Sequence, residues 1–228
     1  SKGLIRPVDL EKVIGPTLDQ AFADKKWVIV TSHHRSGSLS NGSEAGIGME
    51  FPDALTAQQW QEFLGGYDNV VMHLAGHTHR LMVDAIAPAG GHPYWEVVTP
   101  SLTDFPAQMR VVEIWDQDNG SLTIKTLAFD FMTDGDPVAA HAHTLGVVDF
   151  TTGWEGDGRG TGPDQRNVEL KALKQASVVT RRHGSPTGAE SLHKGDDESV
   201  GGHTRRSTAR DESTARQAWR LTTASAGT

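Results

Sequence analysis

One stretch constrains this chain more than any other: Asn69-Val-Val-Met-His-Leu-Ala-Gly-His-Thr-His79. A largely apolar, β-branched run climbs to a glycine and then presents two histidines one residue apart. Such a run reads as a buried strand ending in a turn. Turns at the carboxyl ends of strands are where α/β proteins place their chemistry. Gly76 has no Cβ, so the backbone is expected to bend sharply or to approach a ligand there. If His77 and His79 continue the extended conformation, strand alternation puts both imidazoles on one side. Two neutral imidazoles converging on a point suit zinc, manganese or iron. The competing reading is a pair of surface histidines.

A second run, Trp27-Val-Ile-Val-Thr-Ser-His-His-Arg35, also ends in small residues and then histidine. Two strands that each terminate in histidines imply loops meeting at one edge of a sheet. The β-branched run from 27 to 31 is expected to be buried, with its carboxyl end opening on a crevice.

These two blocks, Ser32-His33-His34-Arg35 and Gly76-His77-Thr78-His79, resemble the last two sequence blocks of the calcineurin-like metallophosphoesterases. In that family a strand ends in a histidine, often followed by a second histidine and a proline, and Gly-His-x-His comes next. The segment from Thr99 to Ile114, with Thr99-Pro-Ser-Leu-Thr-Asp-Phe-Pro106 at its head, looks like the closing strands of bacterial members. The resemblance covers about residues 8 to 170. Arg35 stands where the family usually has proline. The family's earlier blocks, Asp-x-His, Gly-Asp-x-x-Asp and Gly-Asn-His-Glu/Asp, have no counterpart before Trp27. The expectation is therefore the C-terminal portion of a longer phosphoesterase, its first half supplied in cis or by a partner chain. Compartment stays open, a secreted bacterial enzyme included.

The resemblance implies a fold and a chemistry. The fold would be α/β: part of a calcineurin-like β-sandwich flanked by helices over residues 1–170, followed by a disordered tail over 171–228. The chemistry would be hydrolysis of a phosphate ester by two divalent or trivalent ions (Mn, Fe or Zn), set about 3.5–4 Å apart. His33 and His77 would bind one ion and His79 the other. His34 would lie near the scissile phosphate as an orienting group or proton donor, or else behind the ligands. The bridging aspartate belongs to the blocks not found here, so this chain alone is expected to be inactive or nearly so. Two rival readings remain: a non-catalytic β-rich binding or structural module with incidental histidines, and one subunit of a split enzyme.

Other His-x-His systems fit less well. A metallo-β-lactamase site needs Asp-His where Leu81 and Met82 stand, and a cupin needs a glutamate well before Glu96.

Composition narrows the classes further. Zero cysteines exclude disulfides and thiolate metal sites, leaving histidine and oxygen as ligands. No run of 18 apolar residues exists, so no membrane-spanning helix is expected. The net charge of −8 is uneven: from 171 onward ten Lys/Arg face six Asp/Glu, leaving eleven against twenty-three, or −12, in the rest. So acidic a body argues against a nucleic-acid surface.

Taken in order, residues 8–25 show helical spacing interrupted by Gly15-Pro16. Residues 35–52, rich in Ser, Gly and Asn, read as a long loop, either a wall of the site or a plain insertion. Thr56-Ala-Gln-Gln59 is a capping box opening a helix through Leu64, with Trp60, Phe63 and Leu64 as its core stripe. Strands are expected at Leu81–Ala87, Tyr94–Thr99, Met109–Trp115 and Ser121–Phe129, with Asp118-Asn119-Gly120 turning the last pair. Residues 134–168 carry scattered apolar groups and no assigned helix, and His141-Ala-His143 reads as surface. A last strand begins near Asn167. Beyond 171 there is no Phe, Ile, Met or Tyr, so disorder is expected, whether that end is a basic tail or the product of read-through or a shifted frame.

Overall fold

The computed structural model describes residues 3–40, 51–152 and 163–173. The expected disorder of the tail, and most of the expected 35–52 loop, fall outside those residues.

The chain enters through Pro7–Asp9, a wide π-turn at Leu10–Ile14 and helix α1, Gly15–Ala23. The break expected at Gly15-Pro16 is taken up by that turn, in which the Gly15 N–H reaches back five residues to the Leu10 carbonyl. A Cβ on Gly15 would sit 2.7 Å from that oxygen, so only glycine fits. The widened turn also relieves Pro16, whose ring would otherwise press on the carbonyl four residues back. Lys25, at φ 57°, ends the helix: its N–H bonds the Phe22 carbonyl and that of Lys26 bonds Ala21, a Schellman closure.

β1 (Val28–Thr31), β2 (Val70–Ala75), β3 (Met82–Ile86) and β4 (Tyr94–Val98) form one sheet in the order β1-β2-β4-β3. β1, β2 and β4 are parallel, and β3 runs antiparallel to β4. Helix α2, Ala57–Gly65, stands between β1 and β2 in sequence, opened by the reciprocal Thr56/Gln59 capping box. Its Trp60 and Leu64 join Leu10, Leu18, Leu55, Val70 and Tyr94 in a buried cluster, with Val28, Val30 and Ile86 packed against it. The helices thus cover one face of the sheet. The expectation that β1 is buried is not met: it lies at the sheet edge with Ile29 41% exposed. Sequence alone cannot tell an edge strand from a central one when both are β-branched.

β5 (Gln108–Asp116), β6 (Ser121–Asp130) and β7 (Val168–Leu173) form a second, antiparallel sheet. Asp118 and Gly120 take positive φ in the hairpin turn, where the Asp-Asn-Gly signal placed it. The Trp95 indole donates to the Lys171 carbonyl at 3.0 Å, and the Val83 N–H to Gln165 Oε1 at 2.7 Å, tying β4 and β3 to this second layer. Over the described residues the chain is mixed α/β, with two sheets and a few helices.

One segment corrects the sequence reading outright. Residues Pro137–Thr152 form helix α3, sixteen residues long. It has no apolar stripe to announce it, but Asp136 caps it: its Oδ1 accepts from the N–H groups of Val138 and Ala139 at 2.9 and 3.0 Å. Pro137 takes the first helical position, where a missing N–H costs nothing. His141 and His143 lie exposed on α3. A short helix α4, Pro163–Arg166, leads into β7. Among the described residues, no helix is long and apolar enough to cross a membrane.

Candidate metal centre

β1 and β2 are adjacent and parallel, with Val30 paired to His73 and Thr31 to Leu74. Their carboxyl ends therefore share one rim, and the residues just beyond them meet. His33 Nε2 lies 3.0 Å from His77 Nδ1. The His33 ring centroid is 4.9 Å from those of both His34 and His77, and His34 is 4.1 Å from His77. One ring nitrogen from each of the three falls within 4.8 Å of the others, so the group is able to hold a metal ion. With bonds near 2.1 Å, the ligand atoms of a tetrahedral site stand about 3.4 Å apart. The His33–His77 pair, at 3.0 Å, is close to that spacing.

The turn that delivers His77 is not the one expected. β2 ends at Ala75, and both His77 and His79 adopt left-handed backbone, at φ 69° and 54°. The extended continuation that would have set both imidazoles on one side is thus overturned. Gly76 is not the strained residue either. Its φ is not positive, and a Cβ there would meet Thr99 Oγ1 at 3.7 Å and the His33 carbonyl at 3.9 Å, ordinary contacts. The conformational burden falls on the histidines. A left-handed L-residue costs about 1–2 kcal/mol, and such strain persists where the surroundings over-determine it. Here the Gly76 N–H bonds the His33 carbonyl at 3.1 Å and the Thr78 N–H bonds the Gly76 carbonyl at 2.8 Å, stitching the two loops together.

The reversal separates the two histidines of the Gly-His-x-His block. His77 turns to His33 and His34, whereas His79 Nδ1 pairs with a carboxylate oxygen of Asp104 and lies outside the three-histidine group. His34 is packed from behind by the segment at Gly3, where a Cβ would come within 3.0 Å of His34 Cβ and 2.7 Å of Leu39. Burial, and then the neighbouring His77 and His33, hold the His34 imidazole below its ordinary pKa. It is therefore neutral near pH 7, the form a metal takes.

No known protein family matches the chain, and no curated protein does.

Three polar residues under the site escaped the reading of the sequence. His73 and Glu96 are 0% and 2% exposed, yet their side chains meet at 2.8 Å. The register sets Val30, His73, Glu96 and Asp84 side by side across β1, β2, β4 and β3. Each of the last three grips the loop that carries His33 and His34. His73 Nε2 lies 2.8 Å from Ser32 Oγ, Glu96 Oε2 accepts the Ser36 N–H at 2.7 Å, and Asp84 faces Arg35 at 3.7 Å. Burial pushes the Glu96 carboxyl up, but hydrogen bonds from His73 and Ser36 outweigh it and leave the group below its ordinary value. Burial is also the largest effect on Asp84, which lies above its ordinary value despite Arg35. A signal existed: each of three consecutive apolar strands holds one polar residue at its centre. That pattern is unaffordable in a sheet interior unless the groups pair.

Proposed function

We propose that the chain is the histidine-bearing part of a metal-dependent phosphoric ester hydrolase of the dinuclear metallophosphoesterase type. The observation that carries this reading is the convergence of His33, His34 and His77, from two parallel strands, on a point that one ion would fill. The donor set suits it. Three imidazoles with no thiolate favour zinc, manganese or iron.

His33 and His77 would hold one ion. His79, whose Nδ1 pairs with Asp104, would offer Nε2 to a second, with the carboxylate fixing tautomer and ring orientation. His34 would either complete the first site or face the phosphate of a monoester or diester. Bound ions of this kind polarise phosphoryl oxygens and lower the pKa of water at the site. The protein's own part is to bring the imidazoles together at one rim, with the Ser32–Ser36 loop fixed from below.

Among the described residues the three-histidine group includes no carboxylate. Imidazoles alone would hold a bridged pair of ions weakly, so turnover by these 228 residues is expected to be slight until a chain bearing aspartate ligands is added. The test is hydrolysis of bis(p-nitrophenyl) phosphate with Mn²⁺ or Zn²⁺, together with a calorimetric zinc titration. Zinc binding that His77→Ala abolishes supports the reading. Absence of binding by the wild-type chain at millimolar zinc defeats it and favours the non-catalytic β-rich module.

A further inference from the structure

The row His73–Glu96–Asp84 does more than satisfy itself, and hydrogen counting shows what it does. Ser32 Oγ stands 2.6 Å from the His34 carbonyl oxygen and 2.8 Å from His73 Nε2. A carbonyl can only accept, so the single hydroxyl proton of Ser32 goes to His34. His73 Nε2 must then bring its own proton to Ser32 Oγ. On the other side, Glu96 Oε2 already accepts the Ser36 N–H at 2.7 Å and takes a second proton from His73 Nδ1 at 2.8 Å. The hydrogen bonds from His73 and Ser36 hold the Glu96 carboxyl below its ordinary value, and with Glu96 ionised every short contact is satisfied when both ring nitrogens of His73 carry protons. This is a fully buried imidazolium–carboxylate pair, each charge compensated by the other and by hydrogen bonds.

The two ends of the pair grip the two ends of one five-residue loop. His73 holds Ser32, Glu96 holds Ser36, and Gln61 of α2 donates to Ser36 Oγ at 2.8 Å. Between them lie His33 and His34. We infer that Ser32, His73 and Glu96 are positioning residues: a buried ion pair that clamps the Ser32–Ser36 loop and so fixes the two imidazoles it presents to His77. The inference deepens the metal-site reading and rests on it for its consequence. The clamp itself is visible without metal.

The same contacts exclude a neighbouring idea. Serine, histidine and glutamate in hydrogen-bonded series resemble a nucleophilic triad, but there the serine proton must point to the histidine. Here the carbonyl of His34 claims it.

The experiment uses the whole chain with Ser32→Ala, Ser32→Thr and Glu96→Gln, and has a metal-free and a metal-bound arm. Without metal, long-range proton–nitrogen NMR should show both nitrogens of His73 protonated. Contacts between the His33 and His77 rings should be present in wild type and Ser32→Thr and lost in Ser32→Ala. With zinc, Ser32→Ala should bind about 10–100-fold more weakly, the usual effect of removing a group that orients a ligand. Ser32→Thr should recover most of this; Ser32→Ala, which strips the buried His73 N–H of its acceptor, should also lower the metal-free midpoint, and Ser32→Thr should restore it. A neutral His73, unchanged ring contacts in Ser32→Ala, or labelling of Ser32 by a fluorophosphonate overturns the clamp. Equal zinc affinity in wild type and Ser32→Ala does so too. If wild type binds no zinc while the ring contacts depend on Ser32, the clamp stands and the metal reading falls. Should Glu96→Gln fail to fold, the Ser32 pair decides alone.

Discussion

Residue 77 offers the sharpest test of how the site is built. His77 sits at φ 69°, where an L-residue costs about 1–2 kcal/mol and glycine costs nothing comparable. Consider His77→Gly beside His77→Ala. Both lose the 3.0 Å contact with His33, so that loss cancels between them. Glycine relieves the backbone but brings a larger unfolded-state entropy, worth about 0.4–1 kcal/mol. The balance makes His77→Gly more stable than His77→Ala by about 1 kcal/mol, or roughly 2–4 °C in Tm for a domain of this size. This reverses the usual order of the two residues, and calorimetry without metal measures it directly. The functional half runs the other way. Zinc at one hundred times the wild-type Kd should stabilise the wild type by about 2.7 kcal/mol, roughly 5–11 °C, and should leave both variants nearly unmoved. Alanine as stable as glycine would refute the left-handed turn, and a full zinc shift in either variant would refute His77 as a ligand.

Three further outcomes are expected. Glu96 lies below the ordinary carboxyl value of about 4.5, so its contribution is complete above that pH and is lost as pH falls through its folded value. His73 on β2, Asp84 on β3, Tyr94 on its own strand and the Ser36 N–H interact with it. Urea midpoints between pH 6 and pH 3 should fall more steeply in wild type than in Glu96→Gln. Leu64, 0% exposed in the cluster under the helices, should lose about 2–5 kcal/mol on Leu64→Ala, and a loss below 1 kcal/mol in denaturant titration would contradict that packing. Thr56→Ala removes the oxygen that accepts the Gln59 N–H at 3.3 Å and should cost about 1 kcal/mol, read as a lower urea midpoint with unchanged zinc binding.

Much of the scaffold was legible because its signals are local. The apolar runs before His33 and His77 are strands, the box at Thr56 opens α2, and Asp118-Asn119-Gly120 turns the hairpin. Helix α3 was missed for a complementary reason. Residues 137–152 carry no amphipathic stripe, and the cap at Asp136-Pro137 was its only announcement. His33, His34 and His77 were legible as strand-end residues, since a strand's carboxyl end is a place that sequence can mark.

By itself, then, the sequence determined where strands stop and which side chains stand just beyond them, because alternation, capping and turn chemistry act over a few residues. Tertiary structure decided which strands lie side by side, and with that everything that depends on neighbours. It put β1 at an edge, set His73 beside Glu96 and Glu96 beside Asp84 in one register, and turned His77 and His79 apart through left-handed backbone. The strand order and register follow from pairing between distant segments, and the contacts of His73 reach residues 23 and 41 positions away; no local pattern along the chain encodes such a distance.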